Sequence, residues 1–282
     1  MSAFIRLLGD ADLESAEAIL ESAFRPSGSW IDDLRLFRTI QPDGLFLALL
    51  NGSPAGMVGA VNYGSYAYVG LMAVHQEFQR QGIGLSLMQH LLAWLDGESV
   101  PCVVLDASDK GQPMYEKLGF LAYDRTHVFQ HSRVLPSCAP EPHVQSVPVQ
   151  NLDDLAKCAG DVFGADRSKA LRALLAALPE RAFMVRDNRG RATGFIFAQR
   201  NRIGPWVAQR PQDAATLLRA ALSLTYDGTV SVFAPEMNQE GTALLKRYGF
   251  EIARTNRHMG RGQGGPPLDQ SRIYGLTSFA LG

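Results

Sequence analysis

Apolar and polar residues alternate along this chain in short segments that switch between helical and strand-like spacing. From Asp10 to Phe24, Leu13, Ala16, Ile19, Leu20 and Ala23 recur at helical spacing. Ile31, Leu34 and Phe37 mark a second helix, with Ser29 or Asp32 near its start. Two strand-like runs follow, Leu45–Leu50 and Met57–Tyr63, divided by Asn51-Gly52-Ser53-Pro54. Asn-Gly between apolar runs predicts a hairpin, and Ala67–Val74 adds a third strand. Leu85, Leu87, Met88, Leu91, Leu92 and Leu95 form the apolar stripe of an amphipathic helix. A short buried strand, Cys102–Leu105, precedes a helix over Pro113–Leu118 that ends at Gly119 and gives way to another strand. This order describes a mixed α/β domain.

The prolines at 136, 140, 142 and 148 break the periodicity, and a linker is expected over 136–146. The pattern then restarts. Helices are predicted over Asp153–Val162 and Ser168–Leu178, and strands at Ala182–Arg186 and Ala192–Gln199. A helix over Pro211–Leu224, a strand at Val230–Ala234 and a helix over Glu240–Tyr248 follow. Tyr115-Glu-Lys-Leu-Gly119-Phe120 is echoed by Leu245-Lys-Arg-Tyr-Gly249-Phe250, a repeat of about 130 residues. Two tandem domains are therefore expected, 1–135 and 147–282, each a mixed sheet flanked by helices.

Composition narrows the classes. Hydrophobic residues at 46% and charged residues at 20% of 282 describe an ordinary globular chain. A net charge of −1 speaks against nucleic acid as a partner. No apolar run reaches the ~20 residues of a membrane span, and Asp10, Asp12 and Glu14 follow too soon for a secretory signal. Cys102, Cys138 and Cys158 lack zinc-like spacing and read as reduced thiols, so a cytoplasmic protein is expected. His127 and His131 share a strand face without cysteine or carboxylate company, and no metal site is expected.

The chemistry concentrates where a strand enters a glycine turn that opens a helix, Met72-Ala73-Val74 through Gln79-Arg80-Gln81-Gly82-Ile83-Gly84-Leu85. Such a turn exposes unpaired main-chain N–H groups at the positive end of a helix, a place for phosphates. Gly82 and Gly84 would let a pyrophosphate approach the main chain. A plain tight turn would look the same. A P-loop is ruled out because Leu85-Ser86 follows Gly84 where Lys-Ser/Thr is required. A dinucleotide site fits Gly82, Gly84 and the later Asp106, but Leu87 stands in place of the third glycine.

Gln79-Arg80-Gln81-Gly82-Ile83-Gly84 resembles motif A of the GNAT (GCN5-related N-acetyltransferase) superfamily, and Met114-Tyr115-Glu-Lys-Leu-Gly119-Phe120 resembles its motif B. The likeness is good over residues 4–129. More loosely, the whole chain is similar to bacterial tandem members of that family. Their second half ends in Arg-x-Met-x-Arg-Gly and a final strand, here Arg257-His258-Met259-Gly260-Arg261-Gly262 and Ile273–Leu281.

The resemblance implies an N-acetyltransferase that moves an acetyl group from acetyl-CoA to a small-molecule amine by direct attack. Pantetheine would lie in a V-shaped opening beside Met72, Ala73 and Val74. A strand N–H near Met72 would polarise the thioester carbonyl. The amides of residues 80–85 would hold the pyrophosphate. Gln76 stands where the family usually has proline.

Tyr115 would protonate the departing thiolate; outside this motif its ring would read as packing on the sheet. Asp106 is the candidate base, or else a loop cap; Asp109 and Gln112 read as a capping box. Trp30, Asp33 and Tyr63 are candidate acceptor-binding residues, with Asp32 and Tyr66 nearby. Arg254, Arg257 and Arg261 could meet an acidic group. Leu245 in place of Tyr115, and no second glycine turn, suggest a C-terminal repeat that has lost cofactor binding. A non-catalytic acyl-CoA sensor and a dinucleotide-binding enzyme are the alternatives. A monomer or a homodimer is expected.

Overall fold

The computed structural model describes residues 3–24, 29–131, 144–178, 180–262 and 265–282. The expected linker therefore lies mostly outside the described residues, as does Cys138. In the first half, β1 (Phe4–Leu7), α1 (Leu13–Ala23), α2 (Ile31–Ile40), β2 (Leu45–Leu50), β3 (Ser53–Asn62) and β4 (Ala67–Val74) lead into α3 (Ile83–Gly97). Then come β5 (Cys102–Ala107), α4 (Gln112–Lys117) and β6 (Leu121–His131). Helix α1 buries Leu13, Ala16, Ile19 and Leu20, the stripe its spacing predicted. Helix α3 buries Ile83, Leu87, Met88, Leu91, Leu92 and Leu95 against the opposite face of the sheet. Strand β1 is an addition: with Arg6 among its four residues and half its length exposed, it carries no strand signal and is held by pairing with β2.

The second half repeats this order with β7 (Gln145–Ser146), α5 (Leu152–Phe163), α6 (Ser168–Ala177), β8 (Ala182–Arg186), β9 (Ala192–Ala198), β10 (Arg202–Ala208), α7 (Pro211–Leu222) and β11 (Val230–Pro235). It ends with α8 (Gln239–Arg247), β12 (Glu251–Gly262) and β13 (Ile273–Gly275). Gln145–Ser146, at the end of the expected linker, pair with β8. Strand β10 carries no clear strand pattern because Gly204-Pro205 punctuates it, yet β9 and β11 flank it and bury its apolar residues. The final strand expected over Ile273–Leu281 stops at Gly275. Beyond it, Ser278 Oγ accepts from the amides of Ala280 and Leu281, both at 3.1 Å, and folds the chain into a turn.

All strands among the described residues join one sheet, in the order β1-β2-β3-β4-β5-β12-β6-β11-β10-β9-β8-β7, with β13 branching from β10. Each half supplies a strand to the other. Strand β12 of the second half pairs with β5, β6 of the first half pairs with β11, and β6 and β12 pair with each other at the centre. The apolar core on the α3 side of the first half takes in Met259 of β12, and the core on the α1/α2 side takes in Ala170 of α6 and Leu281 from beyond β13.

Candidate active site

The cleft forms because β4 and β5 part. Their parallel pairing covers only Ala67–Val69 with Val103–Leu105. Past that point Leu71 takes φ +52°, and the β3–β4 register shifts between Met57 and Gly59. A bulge of this kind bends a strand away from its neighbour. Met72, Ala73 and Val74 continue along β3 with no described strand on their other edge, facing Asp106 and Ala107 across a V. An open strand edge offers main-chain donors and acceptors to an extended, amide-bearing ligand.

Below the V lies the glycine turn. Gln79 Nε2 donates to Val74 O at 3.1 Å and Gln81 Nε2 to Glu77 O at 3.2 Å, so both side chains brace the turn. Arg80 and Gly82 take left-handed conformations, with φ of 62° and 80°. The α3 ladder starts with Ser86 N donating to Gly82 O at 3.0 Å. Among the described residues, no main-chain carbonyl accepts from the amides of Arg80 through Leu85. The two glycines differ in purpose. A Cβ on Gly82 would meet nothing within 4 Å, whereas one on Gly84 would lie 3.0 Å from Met72 Cε. Glycine at 84 thus lets α3 pack closely on β4, and its amide is among those that no described carbonyl takes.

Tyr115 reaches the α3 face of the V from α4. It packs with Val103, Leu105 and Ala107 of β5, and its ring meets Phe120 edge-on at 5.9 Å. No described residue bonds its hydroxyl. Burial pushes the phenol up to about 12, so it keeps its proton at neutral pH. The expected capping box at the head of α4 is absent. Asp109 makes no cap, and Ser108 takes the amides of Gly111 and Gln112 instead, because the tight loop brings its groups within 3.3 Å.

The opposite face of β5 carries Val104 and Asp106. Asp106 has no exposed side-chain surface. Its Oδ2 accepts from the Tyr68 hydroxyl and lies 3.1 Å from His258 Nδ1, and its Oδ1 accepts from Thr126. His258 is directly opposite Asp106 in the β5–β12 register. Its ring stacks with Tyr68 and meets Tyr123 edge-on at 4.8 Å. Sequence reasoning passed over His258 except as part of a terminal stretch, since its partner lies 152 residues away.

The expected acceptor-binding residues are dispersed on the α1/α2 side. Tyr63 donates to Leu281 O at 2.7 Å and lies under Arg167, whose guanidinium sits 4.5 Å from its ring centroid. Arg167 is 1% exposed and also donates to Tyr66, Thr277, Leu281 and Gly282. These bonds hold the turn after β13 against the first half. Asp33 stands 3.9 Å from Arg202 of β10. Trp30 packs at 6.1 Å from Phe24, with its indole nitrogen buried and without a partner among the described residues. The three arginines of β12 part company: Arg254 stacks on Phe279, Arg261 lies 3.7 Å from Asp96, and the Arg257 Nε is buried without a partner among the described residues. His127 Nδ1 lies 2.9 Å from Thr255, and no group of three His, Cys, Asp or Glu among the described residues is placed to hold a metal. Nor is any described helix long and apolar enough to cross a membrane.

Comparison with known proteins agrees with this geometry. The profile of the acetyltransferase (GNAT) family matches residues 13–120, and that of an acetyltransferase (GNAT) domain matches residues 156–275. The uncharacterized N-acetyltransferase YitH of Bacillus subtilis is 24% identical over 238 residues, 83% of each chain. A crystal structure of a provisionally assigned acetyltransferase from Pyrococcus horikoshii superposes with a TM-score of 0.88 at 26% identity, covering 99% of this chain and 96% of that one. The fold is shared with a GCN5-related N-acetyltransferase from Sphaerobacter thermophilus, with a TM-score of 0.69 at 17% identity over 95% and 98%. With a splayed strand pair, an amide-lined helix start and profile matches in both halves, the chain belongs to the GNAT acetyltransferase family as a tandem, two-domain acyltransferase.

Proposed function

We propose that the first half moves an acetyl group from acetyl-CoA to the amine of a small molecule, by direct attack of the amine on the thioester. The observation that carries this reading is the unpaired run of amides from Arg80 to Leu85, set directly below the open edge of Met72–Val74. A diphosphate bound at the helix start would lay the attached pantetheine along that edge, completing a strand where β5 has turned away. The exposed Arg80 side chain would add charge to the same anion. Tyr115, protonated and without a described partner, stands on the α3 face of the V to give its proton to the departing sulfur. The second half takes no part in binding the donor, because β13 lies in the corresponding cleft.

The test is thermal stabilisation by acetyl-CoA, with NAD as control, followed by thiol release in the presence of a panel of primary amines. Stabilisation by acetyl-CoA and amine-dependent thiol release are expected. Stabilisation by NAD alone would replace this reading with a dinucleotide site, and binding without turnover would replace it with a sensor.

A further inference from the structure

We infer that His258, supplied by the second half, is the proton acceptor for the attacking amine, with Asp106 and Tyr68 as its positioning residues. The inference rests on the acetyl-transfer reading above. An ionised carboxylate only accepts hydrogen bonds, so Asp106 requires its neighbours to donate. Tyr68 and Thr126 do so through their hydroxyls, and His258 must then carry its proton on Nδ1. That tautomer leaves Nε2 as a bare lone pair. His258 Nε2 is buried and has no partner among the described residues, although an imidazole nitrogen in a folded interior is ordinarily bonded. The carboxylate's two oxygens are taken up by Tyr68, Thr126 and His258, so the bare imidazole nitrogen is the acceptor left for a substrate proton. An enclosed acid that fixes the tautomer and orientation of a histidine is the arrangement by which a histidine becomes a general base.

The second half supplies an internal control. Parallel pairing ends at Val69 and Leu105 in the first half and at Ile203 and Val232 in the second, so Asp106 and Phe233 are equivalent positions. Their partners across the central strands are His258 and Val128. Where the cleft is open, the pair is carboxylate and imidazole. Where β13 fills it, the pair is apolar. A polar pair required only for folding would have no reason to follow the open cleft.

The groups around the imidazole are Asp106 from β5, Tyr68 from β4, Tyr123 and Asp124 from β6, and Arg254 and Arg257 along β12. Tyr123 is 37% exposed and packs against the ring, so it is the cover that a substrate, or one bridging water, would pass. In the step itself the amine nitrogen forms a bond to the thioester carbonyl carbon and gives a proton to His258 Nε2. The C–S bond then breaks, sulfur leaves with the electron pair, and it takes the proton of Tyr115. Water returns a proton from the imidazolium to the phenolate. The products are the amide and free coenzyme A thiol.

The test compares the full chain with His258→Gln, His258→Ala and Asp106→Asn. Thiol release from acetyl-CoA is followed with propylamine, with spermidine and with water alone as acceptor. His258→Gln should lose about 10²-fold or more in kcat while KM for acetyl-CoA and the acetyl-CoA thermal shift stay within a few-fold. The fall in rate towards acid pH should vanish with it, and added imidazole should restore rate to His258→Ala. A rate within about threefold of the parent, or loss of acetyl-CoA binding together with activity, would overturn the inference. Magnetic resonance of nitrogen-labelled histidine reads the tautomer without any acceptor, and a proton on Nε2 at neutral pH would also overturn it. Failure of the parent protein to bind acetyl-CoA would instead sink the functional reading.

Discussion

The two halves of this protein have the same topology and opposite clefts. In the first, β4 and β5 part, and no described strand pairs with the free edge of Met72–Val74. In the second, β10 and β11 part in the same way, but β13 pairs with β10 through Val207↔Ile273 and Trp206↔Gly275, and Leu276 N donates to Phe233 O at 2.8 Å. The protein's own chain stands where the first half leaves room for an extended ligand. The helix starts differ too. Gly82 opens α3, whereas Arg210-Pro211 opens α7, with Arg210 bonded to Asp213 at 2.8 Å. Even the shared Gly-Phe ends match in geometry: Phe120 N donates to Tyr115 O at 3.0 Å and Phe250 N to Leu245 O at 3.1 Å. A fold tolerates duplication, while chemistry survives only where particular side chains and an open edge are kept together.

The largest expected effect separates Tyr115 from Leu245. Tyr115→Phe should reduce kcat by about 10²-fold or more with acetyl-CoA affinity nearly unchanged, whereas Leu245→Met should leave both alone. Equal turnover of Tyr115→Phe and parent in a thiol-release assay would remove the phenol from the mechanism.

Next in size is an attempt to carry the polar pair across. Phe233→Asp places a charge between Arg202, now 5.4 Å from the ring, and Phe279, which stacks on it at 4.3 Å. It should cost about 2 kcal/mol in denaturant unfolding and confer no acetyl-CoA binding on the second half. A second binding site in calorimetry would show that β13 yields to ligand.

Gly82→Val should be milder for the fold and sharper for the ligand. A left-handed φ of 80° costs a side chain about 1–2 kcal/mol, and the new Cβ enters the open space over the amides. Acetyl-CoA affinity should fall about tenfold or more, while a bulky residue at Gly84 should act through Met72 and reduce stability first.

The smallest effect is alkaline. Burial raises Tyr63, Tyr66, Tyr68, Tyr115 and Tyr123, so the folded state favours their neutral forms. That stabilisation is complete below an unfolded tyrosine value of about 10 and is lost as pH rises through the folded values, for Tyr115 at about 12. Spectrophotometric titration should show these phenols ionising only with unfolding; early, reversible ionisation would contradict their burial.

What the amino-acid sequence determined by itself is local. The stripes of α1 and α3, the Asn51-Gly52 turn, the glycine turn before α3 and the Gly-Phe repeat all depend on residues a few positions apart, whose periodicity and turn chemistry are written in the chain. Tertiary structure alone decided the rest. It exchanged β6 and β12 between the halves, set β13 in the second cleft, drew Arg167 into the first half and placed His258 beside Asp106. Strand pairing has no fixed reach along a sequence: a hydrogen-bonded ladder matches edges and burial, not spacing. A histidine and an aspartate from different halves can therefore form one site without leaving any local pattern to find.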